Sequence, residues 1–71
     1  MNLVVNGKKI DTAEGLTVSR LLVEEDVKMP EMVSVELNGK ILKRSEFETT
    51  RLNDEDKVEF LYYMGGGSVA N

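Results

Sequence analysis

The chain has no cysteine and no histidine. Their absence removes thiol nucleophiles, disulfides, most zinc sites and the usual general base together. A small domain without disulfides suits a reducing compartment, so a cytoplasmic setting is expected. Long apolar runs are missing too: nothing approaches the roughly 20 apolar residues of a membrane span. The opening Met1-Asn2-Leu3-Val4-Val5-Asn6 lacks both a basic region and a long apolar stretch, and is not expected to be a signal peptide. Positive charge is scarce. Nine Lys and Arg face 13 Asp and Glu, for a formal net charge of −4, which argues against the basic footprint of a nucleic-acid binder. The acidic clusters Glu24-Glu25-Asp26 and Asp54-Glu55-Asp56 read as solvated faces, or as surfaces for a basic partner.

What is present fits one small domain. A chain of 71 residues can form a modest core but not one that encloses a deep pocket, since it buries only roughly 60% of its unfolded surface. Met1, Leu3 and Val5 alternate with Asn2 and Val4 as in a strand with one core face. Asn6-Gly7 is a strong hairpin signal, returning through Lys8 to Thr12 with Ile10 inward. Thr17 can cap a short helix whose Val18, Leu21 and Leu22 share one stripe. The single proline, Pro30, is expected in the exit loop, where it stops the helix from continuing. Val33, Val35 and Leu37 alternate as a third strand, and Asn38-Gly39 turns it back through Lys40-Ile41-Leu42. Arg44-Ser45-Glu46-Phe47 reads as a helical turn that drops Phe47 into the core. In the last strand Val58, Phe60 and Tyr62 share one face, and Glu59, Leu61 and Tyr63 the other.

Hairpin, helix, hairpin, helical turn and strand is the order of an α+β, β-grasp (ubiquitin-like) fold. A mixed sheet of four to five strands would wrap one helix, with the last strand central and parallel to the first. A central position accounts for the apolar character of residues 58 to 64. Residues 1–64 form the expected domain and residues 65–71 its tail. No catalytic constellation emerges. Ser19, Ser34 and Ser45 have no histidine to pair with, and Gly65-Gly66-Gly67 lacks the Lys-Ser/Thr of a phosphate loop. Asp54 and Asp56 lack the spaced ligands of a calcium loop and read as an acidic turn.

The glycine run after the last strand has two readings. One is a flexible linker. The other is a tip without side chains that can thread a narrow channel, where a Cβ would clash. Glu59, Leu61, Tyr63 and Met64 beside it are the candidate docking residues. Leu61 and Tyr63 are expected to be exposed unless neighbouring strands cover them.

Together Leu3-Val4-Val5-Asn6-Gly7, Gly15-Leu16-Thr17-Val18 with Leu21-Leu22, Val35-Glu36-Leu37-Asn38-Gly39, Arg44, Asp56 and Gly66-Gly67 resemble the ubiquitin-like sulfur carriers of bacteria, the ThiS/MoaD family, on its thiamine-biosynthesis side. The resemblance spans residues 1 to 67. It implies a β-grasp protein that is a cosubstrate and not an enzyme, monomeric when free, without a bound cofactor, membrane or nucleic acid. A ThiF-like adenylating enzyme would use ATP to activate the terminal glycine carboxylate. Sulfur from cysteine, through a cysteine desulfurase, would convert it to a thiocarboxylate, and a ThiG-like thiazole synthase would accept that sulfur. By position Gly67 would bear the sulfur, with Gly66 and Gly65 as the threading residues. The chain departs from the family at Lys43, where proline often stands, and at Ser68-Val69-Ala70-Asn71 beyond the glycines. The bond between Gly67 and Ser68 is therefore the expected site of a processing protease. Carriers feeding molybdopterin or amino-acid (cysteine or homocysteine) synthesis, and a non-conjugated ubiquitin-like interaction module, are the alternatives.

Overall fold

The computed structural model describes residues 1–62. Strands β1 (Asn2–Val5) and β2 (Lys8–Asp11) form an antiparallel hairpin, and β3 (Val33–Leu37) and β4 (Lys40–Ile41) form a second. Both hairpins turn on Asn-Gly. Asn6 and Gly7 have φ of 52° and 82°, and Asn38 and Gly39 have 51° and 87°. Two successive positive φ values make the tight turn that matches the strands' twist. Strand β5 (Lys57–Tyr62) lies between the hairpins in a five-stranded sheet ordered β2-β1-β5-β3-β4. It runs parallel to β1 and antiparallel to β3. This is the β-grasp arrangement expected from the order of elements.

Helix α1 (Val18–Glu24) buries Val18, Leu21 and Leu22 against the sheet. Seven residues are too few for a helix to persist alone, and its N-terminus is tied down by tertiary bonds. Val18 N–H donates to Thr50 O, Ser19 N–H to Phe47 O, and Arg20 N–H to the Thr17 hydroxyl. The donors that a helix start leaves unpaired are thereby satisfied. The helix lasts two turns, and Pro30 lies beyond it in the exit loop, as expected. Asp26 turns to a φ of 57° directly after the C-cap Glu25. The next positions on the buried stripe are Glu25 and Asp26 themselves, so a further turn would bury acids. Pro30 instead opens a 3-10 turn, Pro30–Met32, that leads into β3.

One face of the sheet and α1 enclose a core of Leu3, Val5, Leu16, Val18, Leu21, Leu22, Val33, Val35, Phe47, Leu52, Val58 and Phe60. Phe47 follows a second 3-10 turn, Arg44–Glu46, and is buried as the sequence suggests. Arg44 staples this turn to the start of β3. Its guanidinium donates to Pro30 O at 2.8 Å and Val33 O at 2.7 Å, and lies 5.4 Å from the centre of the Phe47 ring. Such charge-assisted bonds are among the stronger side-chain contacts. Lys43 is used as well: its N–H donates to the Glu46 carboxylate at 2.9 Å. A proline at this position has no N–H to offer.

The two turn asparagines also clamp β5. Asn6 Oδ1 accepts from Phe60 N–H at 2.8 Å, where β1 has already turned away. Asn38 Oδ1 accepts from Lys57 N–H at 2.9 Å, and Asn38 Nδ2 donates to Asp56 Oδ1. The acidic turn is structural in the same way. Asp54 Oδ1 accepts from Asn2 N–H at 2.6 Å, and Asp56 Oδ2 accepts from Asn53 N–H at 2.8 Å.

Two measurements check these bonds. Asn6→Gly keeps the positive φ and loses only the clamp, for a loss of about 1–3 kcal/mol in chemical denaturation. Asn6→Ala adds backbone strain and should lose about 1–2 kcal/mol more. Equal stability of Asn6→Gly and the parent would show that the Phe60 amide needs no partner. Because Asp54 and Asp56 already serve backbone amides, millimolar calcium should leave the thermal midpoint unchanged; a clear rise would reveal a cation site.

Candidate functional site

Strand β5 ends at Tyr62, directly before the segment that carries the glycines. Tyr63, Met64, Gly65, Gly66, Gly67 and Ser68 lie outside the described residues. The structure therefore defines the platform from which that segment departs. Val58 and Phe60 point into the core, so Lys57, Glu59 and Leu61 point to the opposite, outer face of the sheet. Leu61, expected to be exposed unless neighbouring strands cover it, is half-buried, as is Glu59. Leu61 stands in a central strand, opposite Ser34 of β3, and its neighbours cover part of it.

The register brings to this face residues that a local pattern does not single out. Val4 lies between Lys9 of β2 and Lys57 of β5. Glu36 lies between Glu59 of β5 and Ile41 of β4. Ile41 is 52% exposed, a large aliphatic side chain left open to solvent. The outer face thus has a row of Lys9, Val4 and Lys57, then Glu59, Glu36 and Ile41, then Leu61 and Ser34. Only the pairing of strands distant in sequence assembles these rows. Alternation within β3 and β4 would have found Glu36 and Ile41, had their strands been paired with β5 at the correct register.

The end of β5 carries a second group of apolar side chains. Tyr62 is paired with Val33 and is 50% exposed. Met32 directly precedes Val33, and Met29 caps the 3-10 turn that contains Met32; both are exposed. Clustered apolar side chains of this kind tend to mark partner surfaces.

The helix side of the molecule is different. Helix α1 and the two 3-10 turns frame an open groove of about 440 Å³ lined by Leu22, Val23, Val27, Pro30 and Phe47, with Glu31 and Glu48 at its margin. Ser19 and Ser45 also line it, and the chain has no histidine to activate either hydroxyl. Among the described residues, no group of three His, Cys, Asp or Glu side chains is placed to hold a metal. No helix among them is long and apolar enough to cross a membrane.

This platform has close counterparts. The thiamine biosynthesis protein ThiS from Geobacter metallireducens, in its crystal structure, is 54% identical and superposes with a TM-score of 0.84, covering 94% of this chain and 100% of that one. A thiazole synthase of Paramagnetospirillum magneticum is 38% identical over 68 residues, 96% of this chain. The chain spans only 21% of the length of that enzyme. The protein ycf40 of Porphyra purpurea, of uncharacterized function, is 33% identical over 94% of this chain and 93% of its own length. The family model of ThiS matches residues 2–67, from the first residue of β1 to the last of the three glycines. With that match and the shared β-grasp sheet, the chain belongs to the ThiS family.

Proposed function

We propose that this chain is a sulfur carrier whose glycine end is the reacting group and whose folded body is a handle for partner enzymes. The observation that carries this reading is the extent of the family match, which stops at Gly67 and leaves out the final four residues of the chain, Ser68 to Asn71. The Gly67 carboxylate would attack the α-phosphorus of ATP on an adenylating enzyme, forming an acyl-adenylate and releasing pyrophosphate. A persulfide whose outer sulfur a desulfurase draws from cysteine would then displace AMP to give an acyl persulfide, and a thiol reductant would cleave its S–S bond to leave the thiocarboxylate. That group stores nucleophilic sulfur covalently, without release of free sulfide.

Thiazole synthase is the proposed acceptor. Relatives bearing that name in Paramagnetospirillum magneticum and Magnetococcus marinus contain a segment similar to nearly all of this chain. A sequence similar to this one within a thiazole synthase supports a functional pairing of the two. Gly66 and Gly65 would lie in the enzymes' channels, where the lack of a Cβ permits close approach. Glu59 and Leu61, with Tyr63 and Met64 after them, would contribute to docking. Because Ser68 follows Gly67 by a peptide bond, the reading also requires a protease that frees the Gly67 carboxylate.

The test uses a chain ending at Gly67, incubated with ATP and the adenylating enzyme of the same organism. Mass spectrometry should show an acyl-adenylate and, once a desulfurase, cysteine and a thiol reductant are added, a thiocarboxylate. A chain that gains neither group is not a sulfur carrier. Gly66→Ala should leave the thermal midpoint unchanged and slow adenylation about 100-fold, the loss expected from a misplacement near 1 Å. Unimpaired adenylation of that variant would count against threading. Full-length protein should remain inert until residues 68–71 are removed.

A further inference from the structure

The groove on the helix side is open and apolar, and nothing among the described residues fills its volume of about 440 Å³. Leu22 and Phe47 line it and also belong to the core, so it reaches down to the core between α1 and the two 3-10 turns. Val27 and Pro30 line it as well, and Val23 stands on it 65% exposed. A large aliphatic side chain so open gains from any apolar cover that removes it from water. The charges at the groove narrow what can enter. The Arg44 guanidinium is engaged by Pro30 O and Val33 O, while Glu31 and Glu48 make the margin acidic. A fitting occupant is apolar and carries no negative charge of its own.

The chain supplies such a segment within reach. Tyr63-Met64-Gly65-Gly66-Gly67-Ser68-Val69-Ala70-Asn71 has no charged side chain, in a protein of which 31% of the residues are charged. It follows Tyr62, which alternation places on the same face of the sheet as the core residues Val58 and Phe60. Tyr62 is paired with Val33, and the turn Pro30–Met32 directly precedes Val33. A step across paired strands is about 5 Å, and a 3-10 turn advances about 2 Å per residue. Pro30 and the mouth of the groove are therefore on the order of 10–15 Å from Tyr62. Val69 comes seven residues after Tyr62, an extended reach of roughly 23 Å. The three glycines between them bring no side chain that would hinder a bend back toward the domain.

We propose that in the uncut chain Val69 folds back into this groove, against Leu22, Val23 and Phe47, and holds the Gly67–Ser68 bond against the domain. The contact is intramolecular, so the short connection supplies a high effective concentration and a single valine anchor suffices for partial docking. A protease then reaches the bond only in the undocked fraction of molecules. Hydrolysis adds water across the peptide bond, leaving a carboxylate on Gly67 and an amine on Ser68. The released tetrapeptide has lost its tether, and with it the effective concentration that kept Val69 in place. One cut therefore has two effects: it creates the reacting carboxylate, and it uncovers an apolar surface beside the start of the tail. The place of the cut rests on the sulfur-carrier reading; the groove contact itself does not.

Amide NMR spectra of the full chain, of the chain ending at Gly67 and of full-length Val69→Asp test the contact. The signals of Leu22, Val23, Val27 and Phe47 should differ between the full and shortened chains, and Val69→Asp should move them to the positions of the shortened chain. Val23→Asp probes the other side. Once thermal denaturation shows it to be folded, a broad-specificity protease should cut its tail about threefold faster than that of the parent, because cutting tracks the undocked population. Val69→Asp lies outside the described domain and carries the test alone if Val23→Asp does not fold. Identical groove signals in the full and shortened chains overturn the proposal, as do differences confined to residues beyond Tyr62. Groove shifts that grow with protein concentration place the tail of a second copy there and overturn the intramolecular contact. A chain ending at Gly67 that gains no acyl-adenylate overturns the carrier reading and leaves the groove contact to be decided by the spectra.

Discussion

The structure depends on the insertion of its last strand between its first and third. Without β5 the sheet would be two separate hairpins, each with little apolar surface to bury, and isolated hairpins are marginal in water. With β5 in place, Val58 and Phe60 join the core residues of β1 and β3 in one layer beneath α1. The contact joins distant parts of the chain: the bond from Phe60 to Asn6 spans 54 residues. Closing so long a loop costs entropy before any contact forms. The apolar inward face of β5 and the bonding along both of its edges offset that cost.

The two asparagine amides complete this bonding. On the β1 side, pairing covers only Lys57 and Val58, and Asn6 extends it to Phe60. On the β3 side, pairing runs from Val58 to Tyr62, and Asn38 extends it back to Lys57. The same asparagines make the left-handed turns of the hairpins. Each residue therefore fixes a local bend and a long-range contact together, which ties the register of β5 to the two turns. That register in turn decides what lies on the outer face, including the opposition of Glu36 and Glu59.

Much of this arrangement could be read from local pattern. Alternation located the strands, Asn-Gly marked the hairpins, Thr17 marked the helix start, and the order of elements pointed to the β-grasp sheet. The remainder depends on partners that a linear pattern does not reveal. The short helix and Pro30 in its exit loop follow from the sequence, but it is the acids Glu25 and Asp26 that end the buried stripe. The alternation leaves open whether Leu61 is exposed or covered by neighbouring strands, and the central position of β5 decides it: Leu61 is partly sheltered. The asparagine clamps, the Arg44 staple and the service of Asp54 and Asp56 to backbone amides are all side-chain-to-backbone bonds. The sequence contains their donors and acceptors, but only the folded geometry pairs them. Candidate residues from Tyr63 onward were proposed on sequence grounds, and the family match extends over them as far as Gly67.

The Asn-Gly turns have a chemical consequence for the lifetime of the protein. Asparagine followed by glycine is prone to spontaneous deamidation, since no side chain shields the next backbone nitrogen from the amide carbon. The two turns would age differently. An aspartate at position 6 could still accept from the Phe60 amide, as Asn6 does. At position 38 the lost Nδ2 is the donor to Asp56, so a new carboxylate would face an old one at the edge of β5. Slow chemical damage at Asn38 would thus bring two carboxylates together beside the start of the central strand, at a position where the amide now bridges them to the fold.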